Sequence, residues 1–113
     1  MPSKRNPLNL NPLQLKTLTL LQELARIAGR PDDAGDGGVA VTQLPQPHGD
    51  HFHLGEAVVA SRDATGLNNP SVWAALTRKG LIQPNPPHSV VLTALGQQYD
   101  TGLRDSMLRR SSH

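Results

Sequence analysis

The chain has no cysteine, only one Phe, one Trp and one Tyr, and a net charge of just +2. Without cysteine there is neither a disulfide framework nor a thiolate metal site or nucleophile, so a reducing, cytoplasmic setting is expected. No apolar stretch approaches the roughly 20 residues that cross a bilayer, and the first ten residues contain no apolar signal core. We therefore expect no membrane partner. A charge this small does not by itself indicate a nucleic-acid binder.

With 113 residues, the chain fits one domain and leaves no room for a second. Because aromatic residues are scarce, its core is expected to be built from Leu, Val and Ala. Ten glycines and ten prolines predict irregular stretches between the ordered elements. We expect a flexible arm over residues 1–10, a single domain over 11–108 and a disordered tail over 109–113.

The first helix is the clearest predicted element. Asn11 is a suitable N-cap, Pro12 suits the first helical position, and Gln14 is spaced to complete a capping box. Gly29 predicts the end of the helix. A wide apolar face is expected to pack against other elements or against a second copy of the chain. That face comprises Leu13, Leu18, Leu20, Leu21, Leu24, Ala25, Ile27 and Ala28.

The middle of the chain predicts a loop and a β-hairpin. Residues 30–38 are rich in glycine and aspartate, which is typical of a flexible acidic loop. Residues 39–44 and 50–54 alternate in hydropathy and are expected to pair with each other. Residues 55–67 fit either a helix, which the alanine and serine spacing favours, or an extension of the preceding strand through Val58 and Val59, with Gly66 ending the element.

The remaining elements follow a clear order. Asn69-Pro70 repeats the start signal of the first helix and predicts a helix over 70–79 that ends at Gly80. A strand at 81–82, a proline-rich loop and a return strand at 89–93 come next. Thr93 is expected to cap a final helix containing Leu95, Tyr99, Leu103 and Leu108.

Three motifs in this half resemble the winged helix-turn-helix transcriptional regulators of the multiple-antibiotic-resistance (MarR-like) and PadR-like groups. They are Leu76-Thr-Arg-Lys-Gly-Leu-Ile82, Leu92-Thr-Ala-Leu-Gly96, and Thr65-Gly-Leu-Asn68 with Ser71-Val72. The resemblance covers about residues 55–108. It implies an α+β winged helix-turn-helix fold, here with an extra β-hairpin between the first helix and the helix-turn-helix.

The resemblance also implies a DNA-binding regulator whose helix 70–79 enters the major groove. The residues it assigns to DNA are Arg62, Asn68, Asn69, Ser71, Ala74, Thr77, Arg78 and Lys79. Helix capping explains Asn69 equally well, and the helix terminus explains Arg78 and Lys79. Trp73 either fills a gap in the core or marks an exposed partner surface. The alternative function is a winged-helix interaction or dimerisation module without DNA binding, and a homodimer is expected in either case.

His48, Asp50, His51 and His53 form the one cluster of metal-ligand types. On a strand His51 and His53 share a face, an arrangement that suits zinc or nickel. We interpret the cluster as a polar turn followed by a solvent-facing strand, so no metal is assigned. The chain has no Gly-x-Ser-x-Gly, P-loop or Rossmann glycine motif. We therefore expect no enzyme activity and no cofactor.

Overall fold

A computed structural model describes residues 6–31, 37–42, 44, 49–55, 57–85 and 89–110. Over these ranges the protein is α+β, with two antiparallel sheets. The helices are α1 (Pro12–Ala28), a 3-10 helix (Ser61–Asn68), α2 (Pro70–Arg78), α3 (Ala94–Gln98) and α4 (Arg104–Met107). The strands are β1 (Arg30–Pro31), β2 (Val39–Val41), β3 (His51–Leu54), β4 (Ala57–Ala60), β5 (Ile82–Asn85), β6 (Ser89–Leu92) and β7 (Arg109–Arg110).

Helix α1 begins as the sequence predicts. The Asn11 side chain accepts a hydrogen bond from the Gln14 amide at 2.8 Å, and the Gln14 side chain accepts one from the Asn11 amide at 3.0 Å. The apolar face packs within the chain, against the 3-10 helix, α2 and β2. Its leucines at positions 18, 20, 21 and 24 are buried. The apolar face was predicted to extend to the end of the helix, but it stops short of Ile27 and Ala28, which are exposed.

The larger sheet has the strand order β1-β2-β6-β5, and the smaller one has the order β3-β4-β7. The predicted pairing of residues 39–44 with 50–54 is therefore wrong. Strand β2 pairs instead with β6, where Val41 lies opposite Val90 and both are buried. Burial of apolar surface against an apolar partner is favourable, and β6 offers such a partner about 50 residues farther along the chain.

Strand β3 forms a tight hairpin with β4. Leu54 pairs with Ala57, and the connection begins at Gly55, whose φ of +62° favours glycine. The favoured helix is therefore wrong for residues 57–60, which form a strand. The helical part begins only at Ser61 and continues past Gly66 to Asn68.

The two motif segments on either side of the β5–β6 hairpin contact each other. Gly80 has φ of +78° and reverses the chain after α2. The Thr93 amide donates to the Leu81 carbonyl at 3.1 Å, and the Thr93 hydroxyl accepts from the Gly96 amide at 3.0 Å to cap α3. A side chain at Gly96 would collide with the Leu81 carbonyl oxygen. The glycine of the second motif is thus required by close packing on the first.

The predicted final helix is divided into α3 and α4. At Tyr99 the backbone is extended, and the Asp100 side chain accepts from the Gly102 amide at 3.0 Å. The Thr101 hydroxyl bonds to that of Thr19 in α1 at 2.6 Å. The local bond from Gly102 to Asp100 competes with helical ones, and the contact with Thr19, 82 residues away in sequence, holds the chain in the interrupted form.

Both ends of the described chain are held by the domain. In the predicted arm, Asn6 and Leu8 are half-buried and Leu10 is 3% exposed, whereas residues 1–5 lie outside the described ranges. In the predicted tail, the backbone of β7 pairs with β4, whereas residues 111–113 lie outside the described ranges. Strand β1, formed by Arg30 and Pro31, pairs with β2, although the sequence predicted a loop at these two residues.

Candidate nucleic-acid interface

Helix α2 has one buried and one exposed face. Asn69 caps it by accepting a hydrogen bond from the Ser71 amide at 3.0 Å, and Pro70 occupies the first helical position. Val72, Ala75 and Leu76 are buried. The opposite face carries the predicted DNA-facing residues Ser71, Ala74, Thr77 and Arg78, all of them exposed. Four of the eight candidates therefore share one accessible helix surface.

The two asparagines at the start of α2 differ in whether their side chains are accessible to DNA. Asn68, the last residue of the 3-10 helix, is exposed, whereas Asn69 is half-buried and its side-chain oxygen is occupied by the cap. Arg62 is not grouped with them. It is exposed and lines a cavity of about 350 Å³ together with His51 and Asp63, on the side of the β3–β4 hairpin.

Lys79 and Trp73 have structural contacts that the sequence did not reveal. The Lys79 ammonium group donates to the Leu8 carbonyl at 2.6 Å, which ties the end of α2 to the N-terminal segment. The Trp73 indole N–H donates to the Leu67 carbonyl at 2.8 Å, and its ring packs against the core. Trp73 is half-buried. This position fits the interpretation that Trp73 fills a gap in the core better than the interpretation that it marks an exposed partner surface.

The histidine pair lies as the strand pattern predicts. His51 and His53 are exposed on one face of β3, while Phe52 and Leu54 are buried on the other. Their rings stand edge to face with centroids 5.8 Å apart. A hydrogen bond from His51 Nδ1 at 2.8 Å lowers the pKa of the Asp50 carboxyl group. His48 lies outside the described residues, and the described part contains no group of three or more potential metal ligands.

A second cluster, which sequence reasoning missed, lies between α1, α4 and the β3–β4 turn. Glu23 is 4% exposed and accepts hydrogen bonds from both Arg26 and Arg104. The bond from Arg26 is the main cause of the lowered pKa of Glu23 and outweighs burial, which raises it. A cavity of about 780 Å³ is lined by all three charged side chains. The i,i+3 spacing of Glu23 and Arg26 on α1 could have indicated their ion pair, but no spacing indicates Arg104, which is 81 residues from Glu23.

None of the described helices combines the length and the apolar character needed to cross a membrane. Compared with protein-family models, with curated proteins and with solved structures, the chain matches none.

Proposed function

We propose that the protein is a DNA-binding transcriptional regulator of winged-helix type, in which α2 enters the major groove. The observation that carries the proposal is the exposed face of α2, where Ser71, Thr77 and Arg78 are accessible while Val72 and Leu76 hold the helix on the core. A recognition helix needs this division, since its base-reading side chains must be free and its backbone fixed.

The hairpin after α2 supports the same proposal. In the resembled families the recognition helix is followed by a two-stranded wing, and here α2 is followed by β5 and β6. The motif residue Gly80 forms the turn between α2 and this hairpin, and Thr93 caps α3 directly after it by accepting a hydrogen bond from the Gly96 amide. The residues that carry the resemblance thus lie at the two junctions of the hairpin.

The expected affinity for DNA is modest, because few cations are available. Arg78 is exposed on the α2 face, Lys79 is shared with the Leu8 carbonyl, and Arg62 lies on a separate surface. Arg78 and Lys79 from each copy of a homodimer make about four phosphate contacts and give a slope of roughly −3.6 in log K against log salt concentration. A fourfold rise in salt concentration should then weaken binding about 150-fold.

The test is a titration with mixed-sequence duplex DNA at about 50 and 200 mM salt, a range over which phosphate-dominated affinity falls steeply. Binding is followed by Trp73 fluorescence and by the anisotropy of labelled DNA. Arg78→Ala should weaken binding and flatten the salt slope by about two units, one for each copy of the homodimer. Arg30→Ala is the matched control, because Arg30 is exposed on β1 at the sheet edge opposite β5.

Failure to bind DNA at the lower salt concentration would contradict the proposal. It would favour the alternative, a winged-helix interaction or dimerisation module in the cytoplasm. A homodimer remains part of the proposal, since two copies double the number of phosphate contacts. A strictly monomeric mass in sedimentation at high protein concentration would remove it.

A further inference from the structure

We propose that the cavity beside Glu23 binds the oxyanion group, carboxylate or phosphate, of a small molecule, and that Arg104 recognises it. The cavity has a volume of about 780 Å³, within the range of small-molecule sites. Its polar wall is formed by Glu23, Arg26, Arg104 and Asp105. None of the predicted DNA-facing residues lines it, so the inference stands whether or not α2 binds DNA.

The two arginines are held unequally. Arg26 engages both carboxylate oxygens of Glu23, through Nε at 3.1 Å and through Nη2. Arg104 reaches only one of these oxygens, at 3.4 Å from Nε and 3.3 Å from Nη2, which is longer than a normal hydrogen bond. Arg26 therefore neutralises the buried carboxylate, and Arg104 can turn to a second anion at small cost.

The guanidinium group of Arg104 is accessible to a ligand. Its side chain is 61% exposed, and its ion pair in the described part of the chain is with Glu23, a carboxylate that Arg26 also contacts. Asp105 lines the same cavity but forms no ion pair with any residue in the described ranges. A guanidinium group presents several N–H donors in one plane and matches carboxylate or phosphate with two parallel hydrogen bonds.

The remaining wall is apolar. Ile27 is 42% exposed although it continues the buried stripe of α1, and it lines the cavity with Ala57 and Leu108. Its Cδ1 atom also lies against Gly55. A ligand with an anionic group and a short apolar body would cover Ile27 while its oxygens meet Arg104.

The chain contains two isoleucines, Ile27 in the cavity wall and Ile82 in the core, and this allows a direct test. The full chain, labelled at the isoleucine δ1 methyl groups, is titrated separately with sodium phosphate and sodium butyrate. Sodium chloride at matched ionic strength is the reference. We expect a saturable shift of the Ile27 methyl signal and none of Ile82. A response to phosphate alone or to butyrate alone identifies the class of oxyanion, and a response to both supports a site for either.

Arg104→Gln should weaken binding about tenfold, the loss expected for a charge-assisted pair, whereas Arg30→Gln should leave it unchanged. Asp105→Asn removes a repelling charge and should tighten binding about threefold. The Ile82 signal reports whether each variant is folded. The proposal is overturned if neither anion moves Ile27, if chloride moves it equally, or if binding is the same in Arg104→Gln. It is also overturned if Asp105→Asn fails to bind more tightly.

Discussion

Glu23 carries a buried negative charge in a helix that is otherwise packed through leucines. Removing such a carboxylate from water is unfavourable unless cations and hydrogen bonds replace the water, and Arg26 and Arg104 do so here. The same bonds lower its pKa from the ordinary value of 4.5. Folding is therefore linked to the ionisation of this one side chain.

We expect Glu23→Gln to lower the free energy of unfolding at pH 7 by about 1–3 kcal/mol, because charge-assisted bonds are lost and two cations are left together. The pKa of Glu23 is lower in the folded state, so its stabilisation is complete above about pH 4.5 and is lost as the pH falls through the folded value. Urea unfolding of both proteins should show their difference shrinking below that pH.

Asp105→Asn is the control for this measurement, since Asp105 is exposed and unpaired among the described residues. Its effect should stay within about 0.5 kcal/mol at pH 7. A difference between wild type and Glu23→Gln that stays constant from neutral to acid pH would contradict the linkage.

At the scale of the element, α2 is a short helix whose start depends on one side chain. Its nine residues are too few for a stable isolated helix, so the cap and the buried face must hold it. Asn69 supplies the cap, which leaves its side-chain oxygen unavailable to DNA while the bond to the Ser71 amide persists.

Asn69→Ala should therefore lower the free energy of unfolding by about 1 kcal/mol, whereas Asn69→Ser, which can also cap, should retain most of it. Thermal unfolding of the two variants measures this. In the DNA titration, Asn69→Ser should bind like the wild type if Asn69 acts only as a cap. Equal destabilisation by serine and alanine would show that capping is not its role.

At the scale of the whole molecule, Tyr99 joins the N-terminal segment to the end of α3. Its hydroxyl group donates to the Asn6 side chain at 2.7 Å and accepts from the Leu8 amide at 3.0 Å. The Lys79 ammonium group donates to the Leu8 carbonyl, which continues this network to the end of α2. The end of α2 and the end of α3 are thus both tied to the N-terminal segment.

Tyr99→Phe removes this hydroxyl and leaves the Leu8 amide without its acceptor. We expect a loss of about 1–2 kcal/mol in the free energy of unfolding and faster amide hydrogen exchange at Leu8 and Leu10. Ser106→Ala, which deletes an exposed hydroxyl near the same end of the chain, should leave both exchange rates unchanged. Unchanged exchange in Tyr99→Phe would contradict a joined network.

The sequence by itself determined the local features whose causes are local. The capping box at Asn11, the cap at Asn69, the shared face of His51 and His53, and the turn at Gly80 depend on neighbouring residues and backbone preferences. The division of α2 into a buried and an exposed face follows from helical periodicity alone.

Only the tertiary structure decided features that depend on distant partners. Strand β2 pairs with β6, β4 lies between β3 and β7, and Tyr99 ends α3. The addition of Arg104 to the Glu23–Arg26 pair arises in the same way. Burial and pairing energies between segments far apart in sequence outweigh local propensity at these places, and no spacing within a single segment encodes them.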